Sequence, residues 1–281
     1  MLLASERTSR GADGPWRALI GGIRRRWPYY ATNRDEAPAN VAQPHFHITH
    51  PGMHRPTNQD QTTTRLLPGG ETLLLVADGV GGAGGGEVAS AETLESIVAQ
   101  LALSPLADPA DALRDAVRRA NTVVRARATT DERLKTMATT LVAAIIDNGQ
   151  VWLINVGDSR AYLYHAGDVT ALTEDDSWVA EQVRSGALTE EEASRSPYQN
   201  VITRGVGVED TINVEKVTRQ TLVSGDVLVL CSDGLYRCVS SAQIGETLAA
   251  LPVEAAGRKL IDLANAAGGP DNISVALYRQ S

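Results

Sequence analysis

Apolar residues in this chain come in short dense runs punctuated by aspartate, asparagine and glycine. Leu73 to Ala77, VLVLC at 227–231 and the stretch ISVAL at 273–277 are bounded by turn residues and predict buried strands. The longer stretch 139–167, TTLVAAIIDNGQVWLINVGDSRAYLYHAG, predicts three strands. Its joints at Asp147-Asn148-Gly149 and Gly157-Asp158-Ser159 read as two hairpins. Helical spacing predicts helices over EVASAETLESIVAQLA (87–102), DPADALRDAVRRANTVVRARA (108–128), Ser240 to Leu251 and Val253 to Ala267. In the second of these Asp108 is placed to cap and Pro109 to open the helix. Segment 174–207 is polar, with helical stretches, and reads as an insertion over the surface. Blocks of short strands and blocks of helices predict an α+β fold with antiparallel sheets covered by helices, not a doubly wound parallel sheet.

The first 44 residues break this pattern and predict an appendage, followed by one domain over residues 45–281. Within the appendage Trp16, Leu19, Ile20, Ile23 and Trp27 recur at helical spacing, with Arg24 to Arg26 mostly off that face. The spacing reads as a small helix lying on an anionic membrane or a partner, or else as a frayed tail or a helix packed on the body, and Gly21-Gly22 weakens any helix there. Charge follows the same division. Residues 1–34 hold seven arginines against Glu6 and Asp13, a net +5, so the chain's total of -8 leaves -13 for the rest. An acidic body argues against nucleic-acid binding and invites a search for cations. No apolar segment approaches the ~18 residues of a membrane span, and MLLASERTSR does not carry the basic-then-apolar order expected of a secretory signal. Two cysteines, Cys231 and Cys238, make no disulfide framework, so a reducing cytoplasm is expected.

Six glycines follow Asp78 in TLLLVADGVGGAGGGEVASAETL, between a predicted strand and a predicted helix. Gly79 to Gly84 satisfies the dinucleotide pattern G-x-G-x-x-G. That reading also requires an acidic residue about 20 positions on, at the end of a second strand. The chain has QLALSPLADPA there, leading into another helix, and it has no Gly-Lys-Ser/Thr loop for phosphates. An aspartate ahead of the glycines repels a pyrophosphate. It suits a cation instead.

Aspartate closes one apolar run after another: Asp78 in LLLVAD, Asp233 in VLVLCSD, Asp158 in LINVGD and, reversed, Asp271 in DNISVAL, with Asp60 in RPTNQD. Any one of them alone reads as a turn former. Five carboxylates at strand ends on one sheet edge supply the oxygens that Mg²⁺ or Mn²⁺ require. Four histidines, His45, His47, His50 and His54, form a second cluster. It reads either as a zinc centre or as a strand with exposed or ion-paired histidines. No cysteine or carboxylate pattern completes a zinc set, which favours the strand.

HRPTNQD, VADGVGG with GEVAS, the TT of MATTLV, INVGDSRAYLY, TRGVG, GDVLVLCSDGL and GGPDNISV, in this order, resemble the metal-dependent serine/threonine protein phosphatases of type 2C, particularly the compact bacterial members. The resemblance runs from about His50 to the end of the chain. It implies two antiparallel sheets packed face to face with helices outside both, a four-layer αββα sandwich. It implies Asp78 as a carboxylate bridging two ions, the Gly79 carbonyl, Asp233 and Asp271 as further ligands, and Asp60 as a nearby member. Arg55 matches the arginine that grips the substrate phosphate, Asp158 with Asp233 matches the holder of a third, weaker ion, and 174–207 matches the flap. The implied activity is hydrolysis of phosphoserine and phosphothreonine in proteins by a water that two Mn²⁺ or Mg²⁺ ions activate, opposing a kinase in signalling. The implied partners are phosphorylated proteins or that kinase, and a monomer is expected.

Two departures qualify the match. Gln59 stands where the family often has glutamate, and it brings no charge to the second ion. Asp175-Asp176-Ser177 replaces a common Asp-His-Ser, and Val80 stands where some relatives carry a histidine, so no side chain is assigned to protonate the leaving group. The alternative is a phosphoprotein-binding module of the same fold with little turnover. The intact set Arg55, Asp78, Asp233 and Asp271 disfavours it.

Overall fold

The computed structural model describes residues 43–81 and 85–281 of the 281-residue chain. The expected appendage, including the Trp16 to Trp27 helix, lies outside the described residues up to position 42, as do positions 82–84 of the glycine loop.

Two antiparallel sheets carry the fold. Strands β1 (His45–His50), β7 (Arg160–His165), β8 (Asp168–Ala171), β10 (Val227–Cys231) and β11 (Ile273–Arg279) pair in the order β1-β11-β10-β7-β8. The other sheet has the order β2-β3-β5-β6-β9, from β2 (Asp60–Leu66), β3 (Thr72–Val80), β5 (Leu141–Asp147), β6 (Gln150–Val156) and β9 (Thr218–Thr221). Short β4 (Ala138–Thr139) pairs with the end of β3.

Period-2 alternation explains why the strand runs are apolar at nearly every position. In β3, Leu74 and Val76 face the opposite sheet, where they meet Leu228 and Leu230 of β10. Leu73, Leu75 and Ala77 face outward and pack with helices α1 (Gly85–Leu101) and α2 (Pro109–Thr130). Across the sandwich, Val227 and Val229 of β10 and Val275 and Leu277 of β11 pack with α6 (Ser241–Ala250) and α7 (Val253–Ala266). Each sheet is therefore buried on both faces, and the architecture is the four-layer αββα sandwich. Each such leucine stabilises the fold by about 1.5–3 kcal/mol through burial. The Asp108 carboxylate caps α2 by accepting from the Asp111 N–H at 2.9 Å, ahead of Pro109. No helix among the described residues is long and apolar enough to cross a membrane.

The hairpin between β5 and β6 forms as expected, with Asn148 and Gly149 both at positive φ (45° and 77°). The joint at Gly157-Asp158-Ser159 does not make a hairpin. β6 pairs with β5 and β9, whereas β7 pairs with β10 and β8, so the chain crosses here from one sheet to the other. A turn signal marks a change of direction, but strands apolar on both faces fit either sheet. The hairpin lies one step later, between β7 and β8, where Ala166 and Gly167 take positive φ (51° and 103°).

Segment 174–207 holds α3 (Trp178–Arg184) and α4 (Glu190–Ser194); the bridge Ser177↔Ile202 closes it on itself, and the bridge Thr139↔Val206 joins it to the body. On β1, His45 and His47 each bond Thr64 Oγ1 through Nδ1 at 3.0 Å. His47 is buried rather than exposed, and burial pushes it down to about 3, so it is neutral.

Candidate active site

The strand ends that carry aspartates gather at one end of the sandwich. Asp60 opens β2 and lies directly opposite Asp78 near the end of β3. From the other sheet, Asp233 begins α5 (Asp233–Tyr236), the single turn after β10, and Asp271 immediately precedes the loop into β11. Asp158 sits in the crossover between the sheets. Arg55, Asp78, Gly79, Asp158, Asp233 and Asp271 line a single cleft of about 220 Å³. Asp60 lies beneath it, fully buried, and does not line it.

Backbone clamps hold these carboxylates in place. The Asp78 N–H donates to Thr140 Oγ1 at 3.0 Å, and the Asp78 carbonyl accepts from Thr139 Oγ1 at 2.8 Å and the Thr140 N–H at 2.9 Å. Thr140 Oγ1 in turn lies 2.7 Å from Ser159 Oγ, beside Asp158. This is the work of the paired threonines in MATTLV, to which sequence reasoning gave no role. Asn272 holds the opposite wall. Its Nδ2 donates to the Pro51 and Thr57 carbonyls, 2.9 Å each, and its Oδ1 accepts from the Gln59 N–H at 2.8 Å. That fixes the loop bearing Arg55. A Cβ on Gly79 would come within 2.2 Å of the Gly86 carbonyl oxygen and 2.6 Å of that of Gln59. Glycine here lets the start of α1 close on β3.

The electrostatics of the cleft are strained. Burial pushes the Asp60 carboxyl up to about 7, opposed by hydrogen bonds from Ser232 and Ser274 and reinforced by the charges of Asp233 and Asp271. Asp158 is likewise pushed up to about 7 by burial and then by Asp233, with Arg237 opposing. Asp78 is raised well above the usual carboxylate range by burial, then by Asp60 and the other three carboxylates. Burial also raises Asp233, with Arg237 opposing and the charge of Asp271 reinforcing. Ser232 Oγ donates to Asp60 Oδ2 at 2.7 Å, while Asp60 Oδ1 and Asp233 Oδ1 are buried without a hydrogen-bond partner. Buried anionic oxygens that lack donors fit hard cations.

No three His, Cys, Asp or Glu side chains among the described residues close on a single point, at the β1 histidines or in this cleft. An ion here fits only by completing its shell with a carbonyl such as that of Gly79 and with water, as Mg²⁺ commonly does.

Two arginines face the carboxylates. Arg55, about half exposed, donates from Nη2 to Asp271 Oδ2 at 2.7 Å. Arg237, which sequence reasoning missed, lies 3.1 Å from Asp233 Oδ2 and 3.5 Å from Asp158 Oδ2. Its one sequence signal was its spacing, four residues after Asp233 across a helical turn. No proton donor for a leaving group emerges at the expected places. Val80 is exposed and apolar at the rim, and Asp176 is engaged by Arg204 at 3.1 Å. Burial pushes the Cys231 thiol up to about 12, the reverse of an activated nucleophile.

The family model described as Protein phosphatase 2C matches residues 54–272. The chain is similar to the serine/threonine protein phosphatase PstP of Mycobacterium tuberculosis, with 35% identity over 229 residues, 80% of this chain and 43% of that one. It thus spans less than half the length of that relative. Protein phosphatase PhpP of Streptococcus pneumoniae is 35% identical over 239 residues, 82% of this chain and 94% of its own. Among solved structures, the S. agalactiae serine/threonine phosphatase superposes with a TM-score of 0.79 at 33% identity, covering 83% of this chain and 98% of its own. The catalytic domain of PstP in complex with two manganese ions gives 0.75 at 32% identity, over 84% and 96%.

Proposed function

Because the chain belongs to the protein phosphatase 2C family, we propose that it removes phosphate from phosphoserine and phosphothreonine in proteins, using two divalent ions, Mn²⁺ or Mg²⁺. The observation that carries this reading is the pair of partnerless buried oxygens, Asp60 Oδ1 and Asp233 Oδ1, beside Asp78 and below an arginine at the mouth. Asp78, Asp233, Asp271 and the Gly79 carbonyl are the residues that would hold the ions, with Asp60 as an anionic floor. When bound, the ions supply Lewis acidity that lowers the pKa of water and polarises a phosphate. Arg55 binds the phosphate oxygens by exchanging Asp271 for the substrate, and its planar fork fixes the angle of approach. The threonine clamp on Asp78 and the Asn272 clamp on the Arg55 loop set the distance between the ions and the phosphate. Gln59 adds no charge, which weakens the second ion.

Asp158 and Asp233 form the pair to which the resemblance assigns a third, weaker ion, and Arg237 already engages both. The proposed setting is cytoplasmic signalling, with a phosphorylated protein or its kinase as partner, the domain over residues 45–281 as catalyst and 174–207 as flap. Phosphate release from a phosphothreonine peptide tests the reading. Turnover with Mn²⁺ that stops in excess chelator supports it; release that ignores chelator, or none in Mn²⁺, refutes it.

A further inference from the structure

Arg237 is built into the site from both sides. The turn α5 puts it four residues after Asp233, and its N–H donates back to the Asp233 carbonyl at 3.1 Å. The neighbouring Tyr236 hydroxyl donates to the Asp158 carbonyl at 3.1 Å, so one short turn grips both aspartates. The Asp158 and Asp233 side chains are 7% and 11% exposed, and the Arg237 side chain is 29% exposed. The guanidinium therefore sits where solvent screens it weakly.

Its remaining hydrogen-bonding capacity goes to the flap. Arg237 Nη2 donates to the Gln199 carbonyl at 3.1 Å, and Nη1 donates to Asn200 Oδ1. Asn200 and Ile202 line the cleft. The other end of the flap reaches the same turn. Asp175 forks Arg160 at 2.9 and 2.8 Å, and the Arg160 guanidinium stacks 3.8 Å from the Tyr236 ring centre. Flap and acidic pair thus share one anchor.

We propose that the Arg237 guanidinium occupies the charge position between Asp158 and Asp233 that a third ion would need, and ties the flap to it through Gln199 and Asn200. This rests on the two-ion reading above. A guanidinium 3.1 Å from one carboxylate and 3.5 Å from the other leaves no room for a divalent ion on the same oxygens. Charge balance points the same way. Five ionised carboxylates against Arg55 and Arg237 leave three net negative charges, and two divalent ions turn that to one positive. A third ion beside Arg237 would leave an excess of three positive charges. The enzyme needs two ions and carries the third charge in its own chain.

The test counts Mn²⁺ per chain by equilibrium dialysis and follows hydrogen exchange of residues 196–202 in chelator, for wild type, Arg237→Met and Arg237→Lys. The expectation is two ions in wild type and in Arg237→Lys, and three in Arg237→Met. Metal-free flap amides should exchange at least tenfold faster in Arg237→Met. If Arg237→Met does not fold, Arg237→Gln, a shorter polar side chain without the charge, takes its place. Three ions in wild type, or two in the neutral variant, would overturn the proposal, because a merely structural arginine leaves the count unchanged. Unaltered flap exchange would overturn the tie. Fewer than two ions in wild type would instead sink the two-ion reading, and with it the need for an internal third charge.

Discussion

Halfway along β3 and β10 the sheets meet through Leu74, Val76, Leu228 and Leu230, none of them exposed. At the ends of those same strands stand Asp78 and Asp233, and Asp233 Oδ1, like Asp60 Oδ1 opposite Asp78, is buried without a hydrogen-bond partner. Two or three residues, about 7–10 Å of extended chain, separate a surface that satisfies itself from one that does not. The middle of the sandwich holds the fold together whether or not any ion is present. The end stores repulsion that bound protons or a metal ion relieve. Stability and function are thus divided along the strand axis, and each half can be attacked separately.

Asp78→Asn should give the largest effect, and only at the acidic end. Phosphate release should fall by roughly a thousandfold or more, about 4 kcal/mol of transition-state stabilisation. The metal-free protein should melt at the same temperature or slightly higher, since one repelling charge is gone. Its response to Mn²⁺ should flatten. An intact Mn²⁺ shift in this variant would remove Asp78 from the ion site.

Leu74→Ala attacks the middle. It should lower unfolding free energy by about 2–5 kcal/mol. The loss should be equal in Mn²⁺ and in chelator by urea denaturation. A loss that Mn²⁺ erases would mean the two regions are not separable.

The pH dependence of the metal-free protein sharpens the contrast. Asp60 and Asp158 titrate near 7 when folded, against an ordinary value of 3.8. Between those values the folded state holds protons that the unfolded state has released, so stability falls as pH rises. The decline should run from about pH 4 to 7 and approach roughly 4 kcal/mol for each of the two groups. Saturating Mn²⁺ should reduce or reverse it, because ions bind the ionised form. Chelated protein that grows more stable from pH 4.5 to 7 would contradict the burial assigned to these two groups.

The smallest effect is expected of Arg55→Ala. Loss of hydrogen bonds to a charged phosphate should lower kcat/KM by about ten- to a hundredfold. Mn²⁺ affinity should be unchanged or slightly tighter, because Asp271 loses its competing partner. Arg55→Lys should recover only part of the rate. Wild-type kinetics in Arg55→Ala would take the arginine out of the site.

The apolar strands and the capped helix α2 were legible because each is determined locally, by alternation within a few residues or by Asp108 and Pro109. Asp78, Asp158, Asp233 and Asp271 were legible as candidates because each stands at the end of an apolar run, whereas Asp60, in the polar RPTNQD, was legible through the motif it belongs to. What local pattern could not carry was the choice of sheet. The chain around Asp158 reads as a turn in either case, and only pairing partners distant in sequence make it a crossover. The same limit hid the threonine clamp on Asp78, which joins residues about sixty apart, and the contact of Arg237 with Asp158 and the flap. Short, half-exposed β8 and β9 went unseen because they lack an apolar run.

The order of strands also governs when the active centre comes into being. β11, the last strand in the chain, lies in the interior of its sheet, between β1 and β10, and Asp271 stands at its entrance. During synthesis, Asp60, Asp78 and Asp158 leave the ribosome long before it. A nascent chain that stops short of β11 has most of the acidic cluster, a gap in the middle of one sheet, and no Asp271 to partner Arg55. The strand that closes this sheet is therefore also the one that brings Asp271 to Arg55, so the sandwich and its acidic cluster are completed together.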